Sequence, residues 1–227
     1  MRILSPMNKS PVPDPRLRFD PEALHLKEFS RSFFRQDTAV VARDLIGNWI
    51  ARRHDGVWYG ARIVETEAYL GIKDAAAHSW KGRRTQRVEP MYMDGGHFYV
   101  FLVYGMHHCA NVVTCREGVP EAVLLRGAEG SPGTPARLLS GPGRLCAALG
   151  ITRAFSGIDL FSDGDGKLLH DRHGNVGSME MGISRRIGVD YAGEATAWPL
   201  RFFDRNSAAV SGPAVLNKMV ATQDRSF

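Results

Sequence analysis

Helical and extended hydrophobic patterning alternate along the chain from residue 37 onward. Asp37 stands where a helix cap belongs, and Val41, Ala42, Leu45 and Ile46 fall on one stripe that Gly47 closes. Asn48 to His54 reads as a strand. Asp55-Gly56 is a strong hairpin signal, and the return strand runs from Val57 to about Tyr69. A loop from Leu70 to about Gly96 is long for a compact domain, which points to a functional loop. Phe98 to Val103 is an apolar, aromatic strand that ends at the turn Tyr104-Gly105-Met106. Asn111 to Thr114 and Glu121 to Leu125 read as two further strands of the same sheet. Residues 127–140, rich in Gly, Pro and Ser, form a connection. Ser140-Gly141-Pro142-Gly143 opens a helix over 144–149, which Gly150 stops. Residues 162–178, Asp/Gly-rich around Leu168-Leu169, suggest a hairpin. With no internal repeat and no linker, the pattern predicts one mixed α/β (α+β) domain on an antiparallel sheet. It spans 21–211, between a loose, proline-rich N-terminal tail (1–20) and a frayed C-terminal tail (212–227).

Composition narrows this picture. A chain of 227 residues suits one domain with a good-sized core, or two at most. No apolar run is long enough to span a membrane, and the first twenty residues lack an apolar signal core. Three cysteines, Cys109, Cys115 and Cys146, without Cys-x-x-Cys spacing, argue for a reducing, intracellular compartment and against a disulfide framework. The net charge of +5 is compatible with a polyanionic partner. Its distribution says more. Lys81, Arg83, Arg84 and Arg87 fall within seven residues, beside Gly82 and Thr85. Such a loop can follow a phosphate backbone with charge and N–H donors, or it can be a solvated charge run.

The strand ending at Tyr69 carries the most unusual chemistry. Strict alternation puts Ile63, Glu65, Glu67 and Tyr69 on one face, with Val64, Thr66 and Ala68 on the other. Two carboxylates and a tyrosine are costly to bury for packing alone, so they suit a pocket. Glu67 is the best candidate for a catalytic base. Glu65 lies roughly 7 Å away along the strand, within the span used by two-carboxylate glycosidases, but parallel side chains do not flank a bond. Tyr69, His78, Tyr99, Phe101 and Tyr104 could form an aromatic box, although Tyr99 reads more simply as core. Tyr104, at a strand end before Gly105, could wedge into a base stack. The scattered His97, His107, His108, Cys109 and Cys115 fit no zinc spacing, so no metal is expected. Asp163-Gly164-Asp165-Gly166 lacks a calcium loop's distal Glu. Gly141-Pro142-Gly143-Arg144 is either a phosphate site at a helix start or simple capping.

Taken together, these residues resemble the alkyladenine (3-methyladenine, or methylpurine) DNA glycosylase family of base-excision repair. The resemblance covers roughly residues 36 to 205. It rests on ARDLIG at 42–47, RIVETEAYLG at 62–71, AAHS at 76–79, YVFLVYGMHHCANVV at 99–113, VLLRG at 123–127, SGPGRLCAALGI at 140–151, and RIGVDYAGE with PLRFF at 186–203. It implies a single compact domain with a curved antiparallel sheet flanked by helices. The implied enzyme is a monofunctional hydrolase without cofactor or metal, which flips damaged purines out of double-stranded DNA and leaves an abasic site. The implied partner is duplex DNA carrying such purines, with no membrane, and the implied state is a monomer in the cell's DNA compartment.

By the same resemblance Glu67 activates the attacking water, and Tyr69 and His78 line the base pocket. Phe101 stands on the other wall, where the family often has a tyrosine. Asn111 disfavours guanine by crowding its exocyclic amine, Arg126 supports the pocket, and Tyr104 intercalates. Backbone contacts fall to Lys81, Arg83, Arg84, Arg87, Gly143 and Arg144, with Trp80 and Gln86 departing from the family's basic loop. A non-catalytic lesion-binding protein and a carbohydrate-directed glycosidase are the alternatives. Loss of Glu67 would have favoured the first, and indifference to salt would favour the second.

Overall fold

The computed structural model describes residues 11–171 and 179–218. The helices are α1 (Arg31–Phe34), α2 (Thr38–Asp44), α3 (Pro142–Leu149) and α4 (Ala214–Asn217). The strands are β1 (Leu26–Glu28), β2 (Trp49–His54), β3 (Val57–Tyr69), β4 (Phe98–Val103), β5 (His107–Thr114), β6 (Glu121–Glu129), β7 (Gly166–Asp171), β8 (Met181–Ser184) and β9 (Arg201–Asp204). All pair antiparallel in one sheet, in the order β1-β7-β2-β3-β6-β5-β4, with β8 and β9 branching from β3. The result is one mixed α/β domain on a curled sheet.

Local chemistry accounts for the elements. Asp37 caps α2 through the N–H groups of Ala39 and Val40. Asp55 and Gly56, both at positive φ, turn the β2–β3 hairpin. Gly150, in the left-handed conformation, ends α3. Val41, Ala42 and Leu45 of the α2 stripe and Leu145 and Leu149 of α3 meet Ile50, Ile63 and Leu125 of the sheet in the main core. The Leu70–Gly96 connection carries three 3₁₀ turns and buries Ala76, Ala77, Ser79 and Met91, so it is packed rather than open.

β3 is the branching element. Its first half pairs with β2 and its second half pairs with β9 along the same edge, while β6 covers the other edge. Where the partners change, both β3 and β6 carry an extra residue. Ile63 lies opposite Ala128, Glu65 opposite Gly127, and Thr66 opposite Leu125. Core-facing residues are therefore three apart, from Ile63 to Thr66 and from Leu125 to Ala128, where an unbroken strand would space them by two. This corrects the strict alternation expected for β3. Ile63 packs in the core with Ala68, opposite to the face of Glu65, Glu67 and Tyr69.

Three further expectations change. Residues 11–20 are not a loose lead-in. Leu17 is fully buried, Phe19 stacks on Trp49 and fills the space above Gly60, and Arg18 bridges to Tyr59. The buried Arg52 secures this segment, donating to the carbonyls of Pro11, Leu149 and Gly150 and so also closing the C-terminus of α3. Residues 212–218 are docked through α4, with Leu216 buried and Asn217 bonded to Arg201. Leu168-Leu169 belongs to β7, which pairs with β1 and β2 rather than closing a hairpin. The rest of that expected hairpin, 172–178, lies outside the described residues. β1, β8 and β9 are too short to show a period of their own.

Truncating Leu17 to Ala should lower unfolding free energy by about 2–5 kcal/mol in urea titrations. Val12→Ala, at an exposed position of the same segment, should stay within about 0.5 kcal/mol. Equal effects of the two would show that this segment is not part of the core.

Candidate active site

The paired bulges aim three side chains of β3 away from the core. Glu65 and Glu67 are both completely buried, and Tyr69 is half-buried beside them. A Cβ at position 127 would lie 3.0 Å from Glu65 Oε2, so Gly127 makes room for that carboxylate. The extra residue of β6, Arg126, enters the same space. Its Nε stands 3.1 Å from Glu65 Oε1 and 3.6 Å from Glu67 Oε1.

The two carboxylates differ in what they have left to offer. Glu65 Oε1 accepts from Arg201 Nε at 2.6 Å as well as from Arg126, and its Oε2 accepts from the Ser211 N–H at 2.8 Å. Arg201, fully buried, also donates to Ser184 Oγ, the Ser211 carbonyl and Asn217 Oδ1. Glu65 is thus committed to a closed network that ties β3, β6, β9 and α4 together. Glu67 accepts from the Tyr69 hydroxyl at 2.9 Å on Oε2 and from the Ile187 N–H at 2.8 Å on Oε1. A carboxylate has about four lone-pair sites, so Glu67 retains acceptor capacity for a water. Burial opposes the charge on Arg126, but Glu67 and Glu65 outweigh it and hold its pKa above the ordinary arginine value. Burial, reinforced by the Glu67 charge, raises the Tyr69 phenol well above its usual value, so Tyr69 keeps the proton it donates.

Above these groups lies a cavity of about 430 Å³, within the usual span of small-molecule sites, roughly 300–1,000 Å³. Glu67 is not itself on its surface, but Tyr69, Arg126 and Ile187, which surround Glu67, are. His78 and Phe101 meet edge to face, centroids 4.5 Å apart, and border the cavity with Asn111. The Asn111 amide donates to the Tyr99 carbonyl at 2.9 Å, which fixes its orientation. His78 Nδ1 lies 2.7 Å from the Tyr99 hydroxyl. Burial, helped by Arg87 and Arg83, pushes His78 down to about 4, and burial pushes Tyr99 up to about 12. Both groups are therefore neutral at neutral pH. Cys109 also borders the cavity, with its thiol pushed up to about 11 by burial.

The mouth is aromatic and flanked by cations. Tyr104 is 88% exposed at positive φ, before Gly105 at the tip of the β4–β5 hairpin. Tyr191, 72% exposed, also borders the opening. Pro142 brings the start of α3 to the rim, and Gly143 packs so closely on His107 that a Cβ there would lie 3.1 Å from it. No side chain caps α3, and the N–H groups of Gly143 and Arg144 precede the first bonded one, that of Leu145. Arg83 and Arg87 are exposed, and Lys81 lies over Trp80. Arg84 differs, because it pairs with Glu89 and stacks on Tyr92. A second, open depression of about 550 Å³, beside Asp14, Arg137 and Arg144, shares no lining residue with this cavity.

Tyr69, His78, Phe101, Asn111, Arg126 and Tyr104 thus converge on one cavity, with Glu67 hydrogen-bonded to Tyr69, while Lys81, Arg83, Arg87, Gly143 and Arg144 lie on exposed segments or at its rim. Sequence reasoning missed Arg201, Ser211, the Ile187 N–H, Arg186 and Tyr191. Their partners lie more than a hundred residues away or in backbone atoms, which no local spacing marks. Among the described residues, no three His, Cys, Asp or Glu side chains are grouped to hold a metal, and no helix is long and apolar enough to cross a membrane.

The depressed His78 value has a consequence for stability. The unfolded chain binds one proton more than the folded chain between about pH 4 and the ordinary histidine value near 6.5. The stabilisation is complete above pH 6.5 and is lost as pH falls toward 4. His78→Gln should remove about 2 kcal/mol of the difference between unfolding free energies at pH 4.5 and 7. An unchanged difference would contradict the assignment.

The family described as methylpurine-DNA glycosylase matches residues 32–208. A relative from Bdellovibrio bacteriovorus is 43% identical over 186 residues, covering 80% of this chain and 97% of its own. One from Desulfitobacterium hafniense is 42% identical over 205 residues, covering 82% and 99%. One from Methanocella arvoryzae is 42% identical over 193 residues, covering 80% and 94%. All three are provisionally named 3-methyladenine DNA glycosylases. A match across most of the chain, which includes both carboxylates, the cavity walls and the exposed Tyr104, shows that the chain belongs to the methylpurine-DNA glycosylase family.

Proposed function

We propose that the protein binds duplex DNA as a monomer, extrudes an alkylated purine into the 430 Å³ cavity, and hydrolyses its N-glycosidic bond at Glu67. The observation that carries this reading is the state of Glu67. It is buried, oriented by Tyr69 and Ile187, balanced by Arg126, and has acceptor capacity left beneath an aromatic cavity. A lesion-binding protein without chemistry would have no use for such a carboxylate. All the residues invoked come from one chain, so no second copy is needed.

Binding begins with phosphate contacts from Arg83, Arg87 and Lys81 on one side and from the start of α3 with Arg144 on the other. Tyr104 fills the stack vacated by the extruded nucleotide. The purine lies between Tyr69 and the His78–Phe101 wall, and Asn111 reads its edge. Water held by Glu67 attacks C1′ as the C1′–N9 bond breaks. The bonding electrons go to the base, the water proton goes to Glu67, and an abasic site remains. Alkylation at N3 or N7 makes the base cationic, so it leaves as a neutral molecule without added protonation. Attraction of that cation to the aromatic walls is a minor contribution. Arginine guanidinium groups already lie over Tyr69 (Arg186, 4.7 Å) and Phe101 (Arg87, 5.6 Å), taking up part of each ring's attraction for cations. Leaving-group quality thus sets the selectivity more than ring electrostatics.

Glu67→Gln should lower single-turnover release of 3-methyladenine by about 10²–10⁴-fold. Its affinity for lesion-containing duplex should stay within a few fold, because a Gln amide can still accept from Ile187 and donate to the Tyr69 oxygen. Release within tenfold of wild type would remove Glu67 from the mechanism. Phosphate contacts make a second test. Arg83→Ala should reduce the slope of log K against log salt by about one, whereas Arg84→Ala, whose charge is engaged by Glu89, should change it less. The reverse order would reassign the DNA-facing arginines.

A further inference from the structure

The two hydrogen bonds that hold Glu67 come from groups on either side of one buried ion pair. Arg186 and Asp74 are both fully buried. Arg186 Nη1 and Nη2 meet Asp74 Oδ2 and Oδ1 at 2.5 and 2.8 Å, a two-pronged pairing. The same nitrogens donate to the carbonyls of Ala68 and Ala195. Asp74 in turn accepts from the N–H groups of Leu70 and Ala76, both at 3.0 Å. The pair therefore joins the end of β3, the loop after it and the 186–195 segment. Neither residue borders the cavity, but the Arg186 guanidinium lies 4.7 Å from the centre of the Tyr69 ring, which does. Ile187, whose N–H holds the other oxygen of Glu67, is the next residue in the chain.

We infer that the Asp74–Arg186 pair is a positioning device for hydrolysis, acting through Tyr69 by fixing the ring so that its hydroxyl points at Glu67 Oε2. This inference rests on the proposed role of Glu67. Packing alone does not require such a pair, since two buried charges cost several kcal/mol to desolvate, and apolar residues of similar volume often serve stability as well. The arrangement is explained by orientation. A tyrosine on a strand end can rotate about χ1 and χ2. A planar cation over its ring, itself fixed by four acceptor contacts, removes that freedom.

The test is a double-mutant cycle on single-turnover release of 3-methyladenine, with binding to a duplex carrying a stable abasic analogue measured in parallel. Arg186→Lys keeps the charge but loses the planar fork. In the wild-type background it should slow release about 10–100-fold, the scale of a small misplacement of a catalytic group, at unchanged affinity. In a Tyr69→Phe background, where no hydroxyl remains to be aimed, the same change should cost less than about threefold. Multiplying losses in the double variant, or no loss from Arg186→Lys alone, would overturn the inference. Asp74→Asn, and Asp74→Asn combined with Arg186→Gln, which removes both charges together, carry the same expectation should Arg186→Lys not bind the abasic duplex. A wild-type protein that releases no methylated purine would instead overturn the proposed function and leave the cycle without a signal to divide.

Discussion

Two carboxylates buried without any exposure, two residues apart on one strand, impose a charge requirement that the surrounding structure meets. An unpaired buried carboxylate would cost several kcal/mol, so counter-charges and donors must come from elsewhere in the chain. Arg126 arrives because β6 carries an extra residue opposite the bulge in β3. Arg201 arrives because β9 takes over the edge of β3 where β2 leaves it. Ser211 and Ile187 contribute backbone N–H groups from the segments that follow β9 and β8. The branch in the sheet, the bulges and the docked C-terminal helix are thus parts of one solution.

That solution divides labour between the carboxylates. Glu65 is engaged by two arginines and a backbone donor, and it holds strands together. Glu67 has two donors and a more distant arginine, all three from residues that line the cavity. The strand spacing that superficially suits a two-carboxylate glycosidase therefore serves a different purpose, since one acid is structural and the other is available for chemistry. The neutral His78–Tyr99 pair and the fixed Asn111 amide line the cavity with groups that do not change charge near neutral pH.

Much of this was legible in the chain. The α2 and α3 stripes, the Asp55-Gly56 turn and the aromatic β4 strand emerged from periodicity and capping residues, because local patterning determines them. Glu67, Tyr69 and Tyr104 stood out because carboxylates and tyrosines in apolar strands demand an explanation. The bulge did not stand out. Ile63 fits the two-residue alternation perfectly well on paper, and only the three-residue step from Ile63 to Thr66 reverses its face. The docking of Leu17 under the sheet was hidden by the prolines around it, which suggest a loose chain, whereas Arg52 holds the Pro11 carbonyl and Phe19 stacks on Trp49. The Asp74–Arg186 pair and Arg201 were invisible because their contacts cross more than a hundred positions.

The central claim is that an extruded, alkylated purine is cut from its sugar in the cavity above Glu67. Incubating the wild-type protein with a duplex carrying a single 3-methyladenine and analysing both products tests it most directly. The account predicts free 3-methyladenine in equal amount to abasic strands whose backbone stays intact until treated with alkali. Tight, salt-sensitive binding to that duplex with no base released would contradict it and make the protein a lesion-binding factor.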